Sequence, residues 1–160
     1  MFSLKKKQAS TSGLLKSTLH DEKTFYVLFL NDLRQCQKEV IIESPYITSQ
    51  RLKMFMPIFK NLLTQDVKIY IMTRDPKEHP ETMEIQSEYA ISCFERIGVQ
   101  VLLCIGNHHR KLAILDRKIL WEGSLNILSQ SYSREIMRRI ENKELALEMF
   151  DFLKLGRFIM

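Results

Sequence analysis

Apolar residues recur three to four positions apart at Phe25, Leu28, Phe29, Leu33 and Cys36, which is the spacing of one helix face and predicts a helix over 22–38. A short β-branched run at 39–43, closed by Ser44 and Pro45, reads as a buried strand that ends where proline enters. Residues 49–63 return to a helical pattern, with Pro57 either bending that helix or dividing it. A second strand is expected at 67–72, followed by an evident loop at 74–80. The strongest helix pattern covers 81–97, where Ile85, Tyr89, Cys93 and Ile97 repeat at four-residue steps beside Ala90 and Phe94, and Gly98 stops it. Strands are then expected at 99–105, 111–115 and 119–124, the last two joined at Asp116, Arg117 and Lys118. After an irregular stretch at 126–133, residues 135–140 suit either a strand or a helix, and 143–154 read as a final helix ending at Gly156. Helices and strands alternate to residue 105 and strands cluster afterwards. The expected class is therefore α/β, a mixed sheet sandwiched between helices on both faces.

Residues 1–20 show no periodicity and are rich in Lys, Ser and Thr, so they read as a basic polar leader ahead of a single domain at 21–160. The 160 residues can bury a proper core without staples, and 45% hydrophobic with 27% charged residues excludes a disordered or fibrous chain. Three scattered cysteines, Cys36, Cys93 and Cys104, make neither a disulfide framework nor a Cys-x-x-Cys pair, which favours a reducing compartment. A net charge of +5 tilts the expected partner toward polyanions, nucleic acid or acidic lipid. No apolar run approaches the ~20 residues of a membrane span or the ~7–15 of a signal peptide core, so no stable membrane anchor and a cytoplasmic location are expected.

One stretch carries chemistry. His109 and Lys111 stand two apart before Asp116, and six residues later come Gly123, Ser124 and Asn126. Side chains two apart on a strand share a face, so His109 and Lys111 point one way, and Ser124 and Asn126 do likewise after the return strand. If the two strands pair around 116–118, the four side chains gather at one end of the hairpin. Leu112, Ile114, Leu120 and Trp121 then bury it, while Asp116 and Gly123 support the structure.

The pattern His-x-Lys-x4-Asp-x6-Gly-Ser-x-Asn resembles the HKD motif of the phospholipase D superfamily. A chance match to it is expected on the order of once per 10⁷–10⁸ starting points. The likeness extends over 22–154: Glu43-Ser-Pro-Tyr-Ile47 is similar to the family's opening strand, and Arg134-Glu135 to its downstream acidic position. Two departures stand out, the absence of glycine from the turn at Asp116, Arg117 and Lys118, and the presence of only one copy of the motif.

The resemblance implies a phosphodiester chemistry that these residue types suit. An anionic diester resists attack unless cations and donors surround its nonbridging oxygens, and Lys111, Asn126 and Ser124 can form that cradle. A neutral imidazole, assigned to His109, attacks phosphorus and gives a covalent phosphohistidine that water hydrolyses. A second histidine is needed to protonate the leaving oxygen. Glu135, with Glu141 in reserve, is the carboxylate expected to orient the nucleophile. The scheme calls for no metal and no other cofactor.

His108 reads as a flanking loop residue, and His20 and His79 as loop residues without a specific role. Arg110, Arg117, Lys118, Arg134 and Arg138 cluster in sequence around the motif and are the expected contacts to a phosphate backbone. The leading expectation is a metal-independent nuclease, similar to the short single-motif bacterial nucleases of the superfamily, acting on DNA rather than RNA. With one motif per chain, the second imidazole must come from another copy, so a homodimer sharing one active site is expected. The alternatives are a phospholipase or phosphatidyltransferase, and a non-catalytic DNA-binding module of a larger assembly.

Overall fold

A computed structural model describes residues 15–159, and among these the chain forms seven strands and four helices. In order they are β1 (Lys16–Asp21), α1 (Phe25–Arg34), β2 (Glu39–Glu43), α2 (Ser49–Thr64), β3 (Lys68–Arg74), α3 (Glu81–Ile97), β4 (Gln100–Cys104), β5 (Leu112–Leu115), β6 (Ile119–Gly123), β7 (Ile136–Glu141) and α4 (Lys143–Phe152). They make one mixed sheet of order β1-β7-β6-β5-β2-β3-β4. β2, β3 and β4 run parallel, linked by the crossover helices α2 and α3 that parallel pairing demands. β5, β6, β7 and β1 continue from β2 as antiparallel neighbours.

Alternation along the strands divides the core in two. Val40, Ile42, Ile69, Ile71, Ala113, Leu115 and Trp121 face α1, α2 and α3, where Phe25, Phe29, Phe55, Phe59 and Phe94 are buried against them. Ile41, Tyr70, Leu112, Ile114 and Leu120 face the other way and meet α4 through Ala146 and Phe150. Each fully buried Phe or Leu contributes roughly 1.5–3 kcal/mol, so the three-helix side carries most of the stability. Trp121 donates its ring N–H to Asp32 at 2.9 Å, and Arg139 grips the same carboxylate at 2.6 Å, tying α1 to the antiparallel strands.

Several expectations change. Residues 16–20 of the expected leader, with Asp21, form an edge strand, paired in register from Lys16 opposite Glu141 to Asp21 opposite Ile136. Residues 1–14 of that leader lie outside the described residues. α3 is turned over relative to its apolar row: Ser87, Ala90, Ile91 and Phe94 are buried, while Ile85 and Tyr89 are 63% and 59% exposed. Positions two apart on a helix lie about 200° apart, so burying 87 and 91 sends 85 and 89 outward. Pro57 neither breaks nor ends α2, because it and Lys53, whose carbonyl loses the N–H it would receive, are both exposed to water. The ambiguous segment at 135–140 is β7, held as a strand by partners on both sides.

The β5–β6 turn explains how a hairpin manages without glycine. Asp116 and Arg117 both take positive φ, 51° and 52°, the paired left-handed geometry that tight hairpins favour and that costs about 1 kcal/mol or more per non-glycine residue. Asp116 offsets that strain by accepting from three successive backbone N–H groups, of Gln37, Lys38 and Glu39, at 2.8–2.9 Å. Arg117 adds an ion pair to Glu39 and lies 4.1 Å over the Phe150 ring. Asp116 therefore supports the entry of β2 at the end of the sheet remote from His109.

Candidate active site

β5 begins where β2 ends, with Leu112 opposite Glu43, and β6 returns to the same end with Glu122 opposite Leu112. This brings His109, Lys111 and Ser124 to one rim, as the spacing predicts. They line an open cleft of about 880 Å³ together with Glu135, Arg110, Arg134, Arg138, Leu19 and Ile136. Gly123 is required here by close approach: a Cβ would stand 2.1 Å from the Ile136 carbonyl oxygen of β7. Ser124 completes that contact, its N–H donating to the Ile136 carbonyl and its hydroxyl accepting from the Ile136 N–H at 3.1 Å.

His109 is exposed at the rim, and Lys111 is curled back on it. The ammonium donates to the His109 carbonyl at 2.8 Å and stands 2.8 Å from the ring Nδ1. Burial first, then the nearby charges of Lys111, Arg74 and His108, hold the His109 pKa below its ordinary value. That direction favours the unprotonated ring that a nucleophile needs. Burial also lowers Lys111, against the pull of Glu135. Asn126 is half-buried outside the cleft lining, with its Oδ1 unpartnered. Its loop is pinned by Tyr26, which donates to the Ile127 carbonyl, by Ser44, which accepts from the Leu128 N–H, and by Arg51 on the Gln130 carbonyl.

The carboxylates differ from expectation. Glu135 lines the cleft but accepts from the Ser133 hydroxyl at 2.7 Å rather than from His109. Glu141 is excluded as the reserve, because it closes β7 at the far end, opposite Ile119, and pairs with Arg139. The basic residues divide likewise. Arg134 and Arg138 line the cleft, Arg138 also donating to Ser17. Arg117 and Lys118 sit in the turn at the opposite end of the sheet and cannot share one short substrate with His109.

Sequence reasoning passed over a polar scaffold around the motif. Glu43 is fully buried at the end of β2, with Arg110 bidentate on it and His108 Nε2 at 3.4 Å. Its signal was a charge closing an otherwise apolar strand. Glu78 accepts from the N–H groups of Gly106 and Asn107 and from Arg74, whose guanidinium also reaches Tyr46 and Asn107. Tyr46 in turn stands edge-on to His109, 6.4 Å between ring centres, with His79 buried 4.9 Å away on it.

A sheet with parallel and antiparallel halves, carrying His109, Lys111 and Ser124 at their junction, defines a phospholipase D-like domain. The family model described as "Cardiolipin synthase, PLD-like domain" matches residues 29–154, and the chain belongs to that family. The fold is similar to that of NUC, a phospholipase D family member from Salmonella typhimurium, at TM-score 0.72 and 14% identity, covering 88% of this chain and 93% of that one. It is also similar to NucT from Helicobacter pylori, at TM-score 0.69 and 17% identity, over 88% and 94% of the two chains. A third likeness is phosphatidylserine synthase from Haemophilus influenzae, at TM-score 0.66 and 15% identity, over 91% of this chain and 39% of that one. No curated protein matches the sequence.

Proposed function

We propose that the chain is a metal-independent phosphodiester hydrolase acting on nucleic acid, DNA before RNA, through a phosphohistidine at His109. The observation that carries this reading is an exposed imidazole 2.8 Å from a lysine ammonium, at the rim of an open cleft lined by Arg134 and Arg138. An unprotonated ring nitrogen of His109 attacks phosphorus, forming the P–N bond as the P–O bond to the leaving group breaks. Lys111 and Ser124 steady the nonbridging oxygens, and the leaving oxygen takes a proton from a second imidazole. Water, deprotonated by that same imidazole, then attacks phosphorus and releases His109. Glu135 lines the same cleft as Lys111, on which its charge acts, and is the carboxylate available to steady the charged states.

The second imidazole is His109 of another copy: among the described residues the histidines nearest it are His108, turned toward Glu43, and His79, buried behind Tyr46, and neither lines the cleft. Leu19 and Ile136, 60% and 64% exposed beside the cleft, supply apolar surface that such a copy would cover. The same two side chains favour a second reading, a phospholipid diester whose acyl chains lie on them. Plasmid DNA, single-stranded DNA, RNA and phosphatidylcholine, each incubated with the protein in excess EDTA, separate the two. Cleavage of nucleic acid that vanishes in His109→Asn is expected; turnover of phosphatidylcholine alone would transfer the assignment to lipid. Lys111→Ala should lose about 10²–10³-fold in kcat, the usual effect of deleting one transition-state donor.

A further inference from the structure

Glu43 is a carboxylate with no exposed surface, placed where β2 meets the catalytic hairpin. Stability alone does not explain it, because a buried ion pair replaced by apolar side chains of similar volume is often neutral or stabilising. What the carboxylate touches is informative. Arg110 donates to both of its oxygens, Nε at 2.7 Å and one terminal nitrogen at 3.3 Å, and His108 Nε2 lies 3.4 Å from Oε2. These are the two residues that flank His109 in the chain. Along 108–111 the partners alternate: His108 and Arg110 approach Glu43, whereas His109 and Lys111 meet each other, and the half-exposed Arg110 also borders the cleft.

We propose that Glu43 is the positioning residue for His109: by holding His108 and Arg110, the neighbours of His109 on either side in the chain, it sets the imidazole against its lysine. The proposal rests on His109 being the nucleophile. It also gives Arg110, which borders the cleft, a positioning role rather than a phosphate contact, since its fork is occupied by the Glu43 carboxylate. Near-attack geometry tolerates little displacement, and a loosened nucleophile lowers the rate of the chemical step without weakening the grip on substrate.

The test uses the full chain, steady-state cleavage of a fluorescent oligodeoxynucleotide and of bis(p-nitrophenyl) phosphate, and NMR of histidine-labelled protein. Glu43→Gln should lower kcat about 10- to 100-fold on both substrates with KM nearly unchanged, and should broaden or split the His109 ring resonance. Should that variant fail to fold, Arg110→Gln, altered at a half-exposed side chain, carries the same expectation. Where both fold, the double variant should lose no more than the worse single one, because the two act through one contact. A raised KM at unchanged kcat in Arg110→Gln would make it a phosphate contact and overturn the proposal. So would an unaltered His109 resonance in either folded variant. A wild-type chain that cleaves neither probe would instead overturn the catalytic reading, and the His109 resonance would still decide whether Glu43 positions the ring.

Discussion

Adjacent histidines in this chain are driven in opposite directions. Burial and then the cations around it hold the His109 pKa below its ordinary value, whereas the Cys104 thiol and the Glu43 carboxylate beside His108 push that one from 6.5 up to about 9. A histidine whose folded pKa is raised contributes stability that is complete below 6.5 and is lost as pH rises toward 9. The contribution is about 2 kcal/mol once solvent screening is allowed for. Urea denaturation of the wild type between pH 6 and 9.5 should therefore show falling stability, and His108→Gln should flatten that slope. A slope unchanged in the variant would place the titrating group elsewhere. His79 carries the opposite sensitivity: buried with both ring nitrogens unpartnered, it is depressed by burial and penalises folding in acid.

At the scale of elements, the β5–β6 hairpin serves both ends of the sheet. Its open end carries the reactive groups, and its turn ties β2 through the Asp116 carboxylate. Asp116→Ala removes three charge-assisted hydrogen bonds and leaves an alanine in the left-handed turn. A loss of about 2–4 kcal/mol is expected, read from the denaturation midpoint, with cleavage retained while the chain stays folded. The hairpin and β2 were legible because alternation and β-branched runs report burial directly. β1 was not, since a polar edge strand exposed along its length lacks that alternation, and only the ladder with β7 makes it a strand. The face of α3 was misread because two apolar rows compete on it and the sheet chooses the one with small residues, Ser87 and Ala90. At the site, the motif's spacing brings His109, Lys111 and Ser124 to one cleft but leaves Asn126 outside its lining. Glu43, Arg74 and Glu78 come from other elements, and no local spacing announces contacts made across 28 to 67 residues of chain.

For the whole molecule, the unequal covering of the sheet matters most. Three helices bury one face, but α4 covers only part of the other, leaving Leu19, Ile136 and Arg138 of the antiparallel half open beside the cleft. A second copy seated there would bring its own His109 across a bound phosphate, one shared site for two chains. Wild-type and His109→Asn chains, unfolded together and refolded at equal amounts, should then give roughly a quarter of the undiluted activity, because only wild-type pairs keep both imidazoles. Half the activity would mean that each chain works alone.

The strand order also has a consequence for how the chain is made. β2 lies between β3, which follows it closely, and β5, which is synthesised some seventy residues later. At about 5–20 residues per second that interval lasts roughly 4–15 s, during which the apolar edge of Val40, Ile41 and Ile42 has no antiparallel partner. An unpaired edge of this composition is a template for association with other chains. The strand that seats Glu43 is thus also a vulnerable segment of the nascent chain until the β5–β6 hairpin leaves the ribosome and closes over it.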